Sequence, residues 1–298
     1  MGDRLYIIGN GFDRYHDIPS DYLDFGRYLK EADPATYSEV KTYFAVDDAF
    51  WWEFEARLAD FDVDTVINYA SQFLMRYGAE DWSDSGHHDY QYELNRVVEA
   101  ISSTMRARFT DWIRQLLIPT ANSFPGKLLP LDPTACYLNF NYTPTLQKTY
   151  GIADDQVLHI HGQASSSTDR LVLGHAWQRT PADSLNHRTD LEDADTRVLE
   201  GNTIVDDYFS ATFKPTDKII MQQQSFFQSM RSVRQILVMG HSLSEVDAPY
   251  IEEIIKHIDA TAVTWKVSYH SNPATAQARM SELGIDPSLI SLTRLIDF

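Results

Sequence analysis

Residues 6–22 read YIIGNGFDRYHDIPSDY. Three apolar side chains run into Gly9-Asn10-Gly11, and an acid follows at Asp13. A strand that ends in Gly-x-Gly lets backbone amides approach a phosphate with no Cβ in the way. The same letters also suit a plain strand-to-helix turn, and the third glycine of the usual dinucleotide fingerprint is missing. The remainder of the chain has to decide between a turn and a ligand site.

Leu5–Ile8 is the first of several short apolar runs. Cys136–Phe140, Gln156–Ile160, Leu171–Leu173, Gln235–Met239 and Val263–Tyr269 follow. Continuous apolar runs of this length are the mark of buried parallel strands. Helical periodicity covers residues 19–32, 46–60, 63–78 and 89–118, the last ending before Pro119. The pattern predicts an α/β fold: an open, mostly parallel, Rossmann-like sheet flanked by helices, with an inserted helical subdomain. Residues 1–34 and 126–298 would form the α/β domain, and 35–125 the insertion. A second insertion, about 176–214, is rich in Asp, Thr, Asn and Arg and is expected to be a loop or lid with little regular structure.

Ligands of open α/β sheets bind outside the carboxyl ends of the strands. The segments that follow the strands are therefore the candidates. After the second apolar run comes NFNYTPTL, residues 139–146, where Asn141 is either a turn residue or a polar group aimed at a ligand. VLHIHGQ, residues 157–163, places His159 and His161 two apart, on one face if the strand continues. No carboxylate or Cys lies near enough in sequence to complete a metal set, so no metal is expected. His161-Gly162 offers a base where glycine permits close approach of a substrate. LVLGH (171–175) and ILVMGHSL (236–243) repeat the run-then-glycine pattern.

Composition bounds the function. With 298 residues, about three quarters of the accessible surface is buried on folding. Lys and Arg number 25 against 43 Asp and Glu, a net charge of −18. Such a balance disfavours nucleic acid and anionic membrane as partners. It also weighs against a nuclease, as does the lack of a clustered acid–His set. Cys136 is the one cysteine, which excludes an internal disulfide and a four-cysteine zinc site, and it is expected to be a buried structural thiol. No apolar stretch approaches the ~20 residues of a membrane span. The first glycine turn comes at residue 9, early for a signal peptide, so a cytoplasmic location is expected.

Taken together, IIGNGFD, IPSDYLDF, FWWEFE (50–55), NFNYTPTL, HIHG and GHSLSEVDAPY (240–250) resemble the AbiH family of bacterial proteins, which is associated with abortive infection against bacteriophage. AbiH proteins in turn look like distant relatives of the sirtuin-type NAD-binding fold. That resemblance implies NAD as substrate or ligand. It places Asn141 on the catalytic Asn and His161 on the catalytic base. Gly9, Asn10, Gly11, Phe12, Asp13, Gly162, Gly240, His241, Ser242 and Asp247 would line the nucleotide. Asp13 and Asp17 stand where sirtuins carry a small hydroxyl residue and a glycine. These acids would either contact ribose hydroxyls or repel a pyrophosphate. The missing zinc cysteines argue against a protein deacetylase. The implied activity is hydrolysis of NAD to nicotinamide and ADP-ribose. The alternative is a non-catalytic nucleotide-sensing or protein-interaction module. In that case the helical block with Trp51, Trp52, Trp82 and Trp112 would meet a phage or host protein. A homo-oligomer is compatible with either.

Overall fold

Leu5, Tyr6, Ile7 and Ile8 are all buried to within 1%, as a strand covered on both faces requires. They form β1 (Arg4–Ile8) in the computed structural model, which describes residues 2–75, 86–166, 169–187 and 194–298. β1 is flanked by β2 (Cys136–Asn139) and β4 (Gln235–Met239), both parallel to it. β3 (Val157–His159), β5 (Thr264–Tyr269) and β6 (Ile290–Arg294) complete one sheet of order β3-β2-β1-β4-β5-β6, every pair parallel. The predicted parallel α/β sheet is thus the architecture found.

Alternation along the strands divides the core in two. Leu5, Ile7, Leu138, Ile236 and Val238 pack with Tyr250, Ile251, Ile254 and Trp265 on one face. Tyr6, Ile8, Tyr137 and Met239 pack with Phe12, Leu146 and Ile152 on the other. Cys136, expected to be buried, is half-buried at the first position of β2.

The chain forms two compact units. The sheet unit comprises residues 1–21, 110–172 and 215–298, and the helical unit residues 22–109 and 173–214. In the helical unit Phe25, Phe50, Trp51, Phe54 and Phe109 form an aromatic cluster with ring centroids 5.0–6.2 Å apart. Beside it the fully buried Lys214 side chain pairs with Glu55, whose other oxygen accepts from the Tyr22 hydroxyl at 2.6 Å. A buried ammonium needs such a partner.

Several elements differ from expectation. Leu171 and Leu173 are buried but the stretch joins no ladder; Val172 N instead donates to the His161 carbonyl at 2.9 Å. The stretch expected to be irregular contains the helix Thr196–Thr212, capped by the Asp195 side chain. Gly201 lets that helix lie against Tyr90, since a Cβ would fall 2.4 Å from the ring. The expected helix 46–60 is broken into Asp48–Trp52, Phe54–Arg57 and a short 3-10 turn. The long helix 89–118 is observed as Asp89–Glu99 and Met105–Gln115 joined by a π-helical turn, Ala100–Thr104. Trp82 and the end of the helix expected over 63–78 lie outside the described residues. Among the described residues no helix is long and apolar enough to cross a membrane.

The strand order reverses at β1. The chain runs outward through β2 and β3, then returns to lay β4 on the other side of β1. There the loops after β1 and β4 touch backbone to backbone. A Cβ on Gly9 would lie 2.5 Å from His241 Cα, and one on Gly240 would lie 2.1 Å from Phe12 N. Gly240 also holds φ +68°, as does Gly151, where a Cβ would meet nothing within 4 Å. The pair isolates the contact from the dihedral. We expect Gly240→Ala to cost at least ~3 kcal/mol in urea unfolding, and Gly151→Ala about 1–2 kcal/mol. Equal costs would show that the close approach contributes nothing.

Candidate functional site

The loops after β1, β2, β3 and β4 all emerge at the carboxyl edge of the sheet, around the reversal between β1 and β4. Open α/β sheets place their ligands at this point. The opening glycines do more packing here than the sequence suggests. Gly9 N donates to the Met239 carbonyl at 3.1 Å and Gly11 N to the Gly240 carbonyl at 2.8 Å. Asn10 is tied sideways: its Nδ2 donates to Asp21 at 3.0 Å and its Oδ1 accepts from Ser20 at 2.5 Å. Phe12 is fully buried and packs on the rings of His16 and Tyr150. His16 is a satisfied core histidine, bonded to the Phe12 carbonyl and the Tyr150 hydroxyl at 2.7 Å each, and burial lowers its pKa.

Asp13 faces inward as well, 1% exposed. Its Oδ2 accepts from the Thr143 hydroxyl at 2.5 Å and its Oδ1 from the Thr145 hydroxyl at 2.7 Å. Both acceptor atoms therefore hold the β2 loop against the β1 loop. Burial pushes its pKa up from 3.8 to about 6, against the lowering pull of hydrogen bonds from Thr143, Thr145 and Asn141.

Asn141 lies in the same seam. Its backbone N donates to Asn139 Oδ1 at 3.0 Å, and its Nδ2 donates to the Gly9 carbonyl at 3.1 Å. The Asn141 carbonyl accepts from His159 Nδ1 at 2.9 Å, and His159 Nε2 accepts from Gln147 Nε2 at 3.1 Å. That network assigns His159 the Nδ1–H tautomer, and burial lowers its pKa. β3 ends at His159, so His161 falls in the following turn and the two histidines do not form a pair on one face.

His161 turns instead towards the β4 loop. Its Nε2 lies 3.6 Å from Asp247 Oδ1, while His241 Nε2 lies 3.5 Å from Asp247 Oδ2. One carboxylate therefore sits between two imidazoles. The Phe140 ring touches both, with centroids 5.3 Å from His161 and 4.2 Å from His241, and Tyr250 packs on His161 at 5.5 Å. Two backbone features shape the turns. Gly162 holds φ +86° and Leu243 φ +54°, the second a strained value for a side-chain-bearing residue. Leu243 N donates to His241 Nδ1 at 2.9 Å, which leaves the His241 proton on Nε2, facing Asp247. Ser244 Oγ also donates to Asp247 Oδ2, at 3.3 Å, whereas Ser242 is exposed.

The structure thus brings Asn141, Gly9, Gly11 and Gly240 into one seam and His161, His241 and Asp247 into one trio. Asn10, Phe12 and Asp13 point away into packing, and Ser242 points to solvent. The Thr143–Asp13–Thr145 clamp and the aromatic frame of Phe140 and Tyr250 had no signal in the sequence. Beyond the β4 loop an open cleft of about 610 Å³ is lined by Glu245, Asn272, Thr275, Arg279 and neighbours.

Asp13 has a measurable consequence. A carboxyl whose folded pKa is raised binds its proton more tightly in the native state, so stability falls as pH rises from about 4 to about 6. The rise from 3.8 to about 6 corresponds to about 3 kcal/mol between the two protonation states. Asp13→Asn keeps an acceptor for the threonines and removes the charge. We expect the stability of the wild-type protein relative to this variant to decline by about that amount between pH 3 and pH 7 in urea titrations. A constant difference would contradict the assignment.

Neither the curated proteins nor the solved structures hold a match to the chain. The family model described as bacteriophage abortive infection AbiH, by contrast, matches residues 5–269, which takes in every loop of the site. With that span and these motifs, the chain belongs to the AbiH family of bacteriophage abortive infection proteins.

Proposed function

We propose that this protein acts in bacteriophage defence in the cytoplasm by hydrolysing NAD to nicotinamide and ADP-ribose at the β1/β4 crevice. The observation that carries the reading is the convergence of His161, Asp247 and His241 beside Asn141 at the sheet reversal. The resemblance of these loops to the sirtuin type supports it.

The residues suit the ribose end of such a substrate. The amides of Gly9 and Gly11 already serve Met239 and Gly240, so they offer a pyrophosphate nothing further. His161 is the group able to take a proton from a water or a ribose hydroxyl. The oxygen of the water attacks C1′, and the C1′–N electron pair leaves with nicotinamide, neutralising its pyridinium charge. One proton is released overall. Asn141 lines the approach. A phage or host protein would supply the trigger.

A second reading is nucleotide sensing without turnover. The specific observation in its favour is that Asn141 Nδ2 already donates to Gly9 O, closing the seam in which it stands.

Incubation of the purified protein with NAD, followed by chromatography of nicotinamide and ADP-ribose, separates the two. We expect release in the wild type, and a loss of about 10²–10⁴-fold in His161→Gln and His161→Ala. Full turnover in both variants would remove His161 from the reaction. Saturable NAD binding with no release would favour the sensor, and neither binding nor release would overturn the NAD reading.

A further inference from the structure

We propose that Asp247 is a positioning residue that favours the protonated form of His161, and that His241 holds Asp247 in place for that task. The inference rests on the NAD-cleavage reading for its reaction, but its geometry stands on its own. The two carboxylate oxygens are divided between the two rings, Oδ1 to His161 at 3.6 Å and Oδ2 to His241 at 3.5 Å. The two histidines are not equivalent. His241 Nδ1 accepts from Leu243 N, so its proton sits on Nε2, the nitrogen 3.5 Å from Asp247 Oδ2. The hydroxyl of Ser244 donates to the same oxygen. Asp247 Oδ1 is the atom turned to His161.

The setting strengthens the effect. Side-chain exposure is 3% for His161, 4% for His241 and 14% for Asp247, and charges interact more strongly where water is scarce. When His161 takes a proton from the attacking water, the imidazolium forms beside a carboxylate already oriented to receive it. Tyr142 and Tyr250 also face His161, with centroids at 6.2 and 5.5 Å, and Phe140 faces both imidazoles.

The test uses the full chain with Asp247→Asn and Asp247→Glu, and two readouts. Histidine ring titrations followed by NMR, with His161 assigned through His161→Gln, need no substrate. The pH profile of nicotinamide release reads the same group in turnover. We expect Asp247→Asn to lower the His161 pKa by about 1 unit or more and to move the acid limb of the profile to lower pH by the same amount. The kcat should fall by roughly 10²-fold or more with little change in KM. Asp247→Glu should restore part of both shifts, which a merely structural loss would not do. An unmoved His161 titration in Asp247→Asn overturns the proposal. Failure of the NAD reading looks different: the titration shifts as expected while wild-type protein releases no nicotinamide.

Discussion

The contact between the β1 and β4 loops governs the rest of the sheet unit. β1 lies between two parallel neighbours whose registers run level with it, Ile8 opposite Asn139 on one side and Met239 on the other. The three strands end together, and their loops are forced into the same small volume. Side chains at Gly9 or Gly240 would collide with main-chain atoms, which cannot rotate out of the way. Once the glycines allow the approach, each exposed amide finds a carbonyl, Gly9 with Met239 and Gly11 with Gly240. The Gly9 carbonyl then takes Asn141 Nδ2, and Asp13 takes Thr143 and Thr145. Three loops become one hydrogen-bonded rim, on which the β3 and β4 loops carry the His161–Asp247–His241 trio.

Buried charge is handled in two different ways within the chain. In the helical unit the Lys214 ammonium is neutralised by Glu55, and removing one partner of such a pair typically costs about 3–5 kcal/mol. In the sheet unit Asp13 has hydroxyl and amide donors but no cation among the described residues, and burial holds its proton on to higher pH than usual. A network of neutral donors tolerates either protonation state of the carboxyl. An ion pair does not. The rim of the site is thus built from the more tolerant of the two arrangements.

Much of the sheet was legible because its central strands are uninterrupted apolar runs. Leu5–Ile8 and Gln235–Met239 are flanked on both sides and covered on both faces, so no polar residue breaks them. β6 was not legible, since ISLTR is a half-exposed edge strand with polar residues at alternate positions. Leu171–Leu173 misled in the opposite sense: burial made it apolar, but it extends under a loop without a partner strand. The helix Thr196–Thr212 hides its contacts behind a small residue, Gly201, and carries a polar composition that reads as loop. At the site, the glycines, Asn141 and His161 were visible as residues that follow strands. Their partners were not. Asp13 meets Thr143 and Thr145, and Asp247 meets two imidazoles, only because the strand order brings β2 and β4 to either side of β1. The His159–His161 spacing implied a shared face only for a strand longer than β3.

The chemistry of the site follows from how its polar groups are engaged. Phosphate-binding loops work by offering backbone amides or basic side chains to an anion. Here the amides of Gly9 and Gly11 serve neighbouring carbonyls, and the chain as a whole carries 43 acids against 25 bases. A chain of that balance gives a phosphate no general attraction, so recognition falls to local contacts. What the crevice does offer is a carboxylate held between imidazoles and framed by Phe140 and Tyr250, an arrangement suited to hydroxyl groups, to water, and to the transfer of a proton. A ligand would therefore be gripped through its sugar and its aromatic base more than through its phosphates. That places the discriminating contacts close to the bond that the proposed reaction breaks.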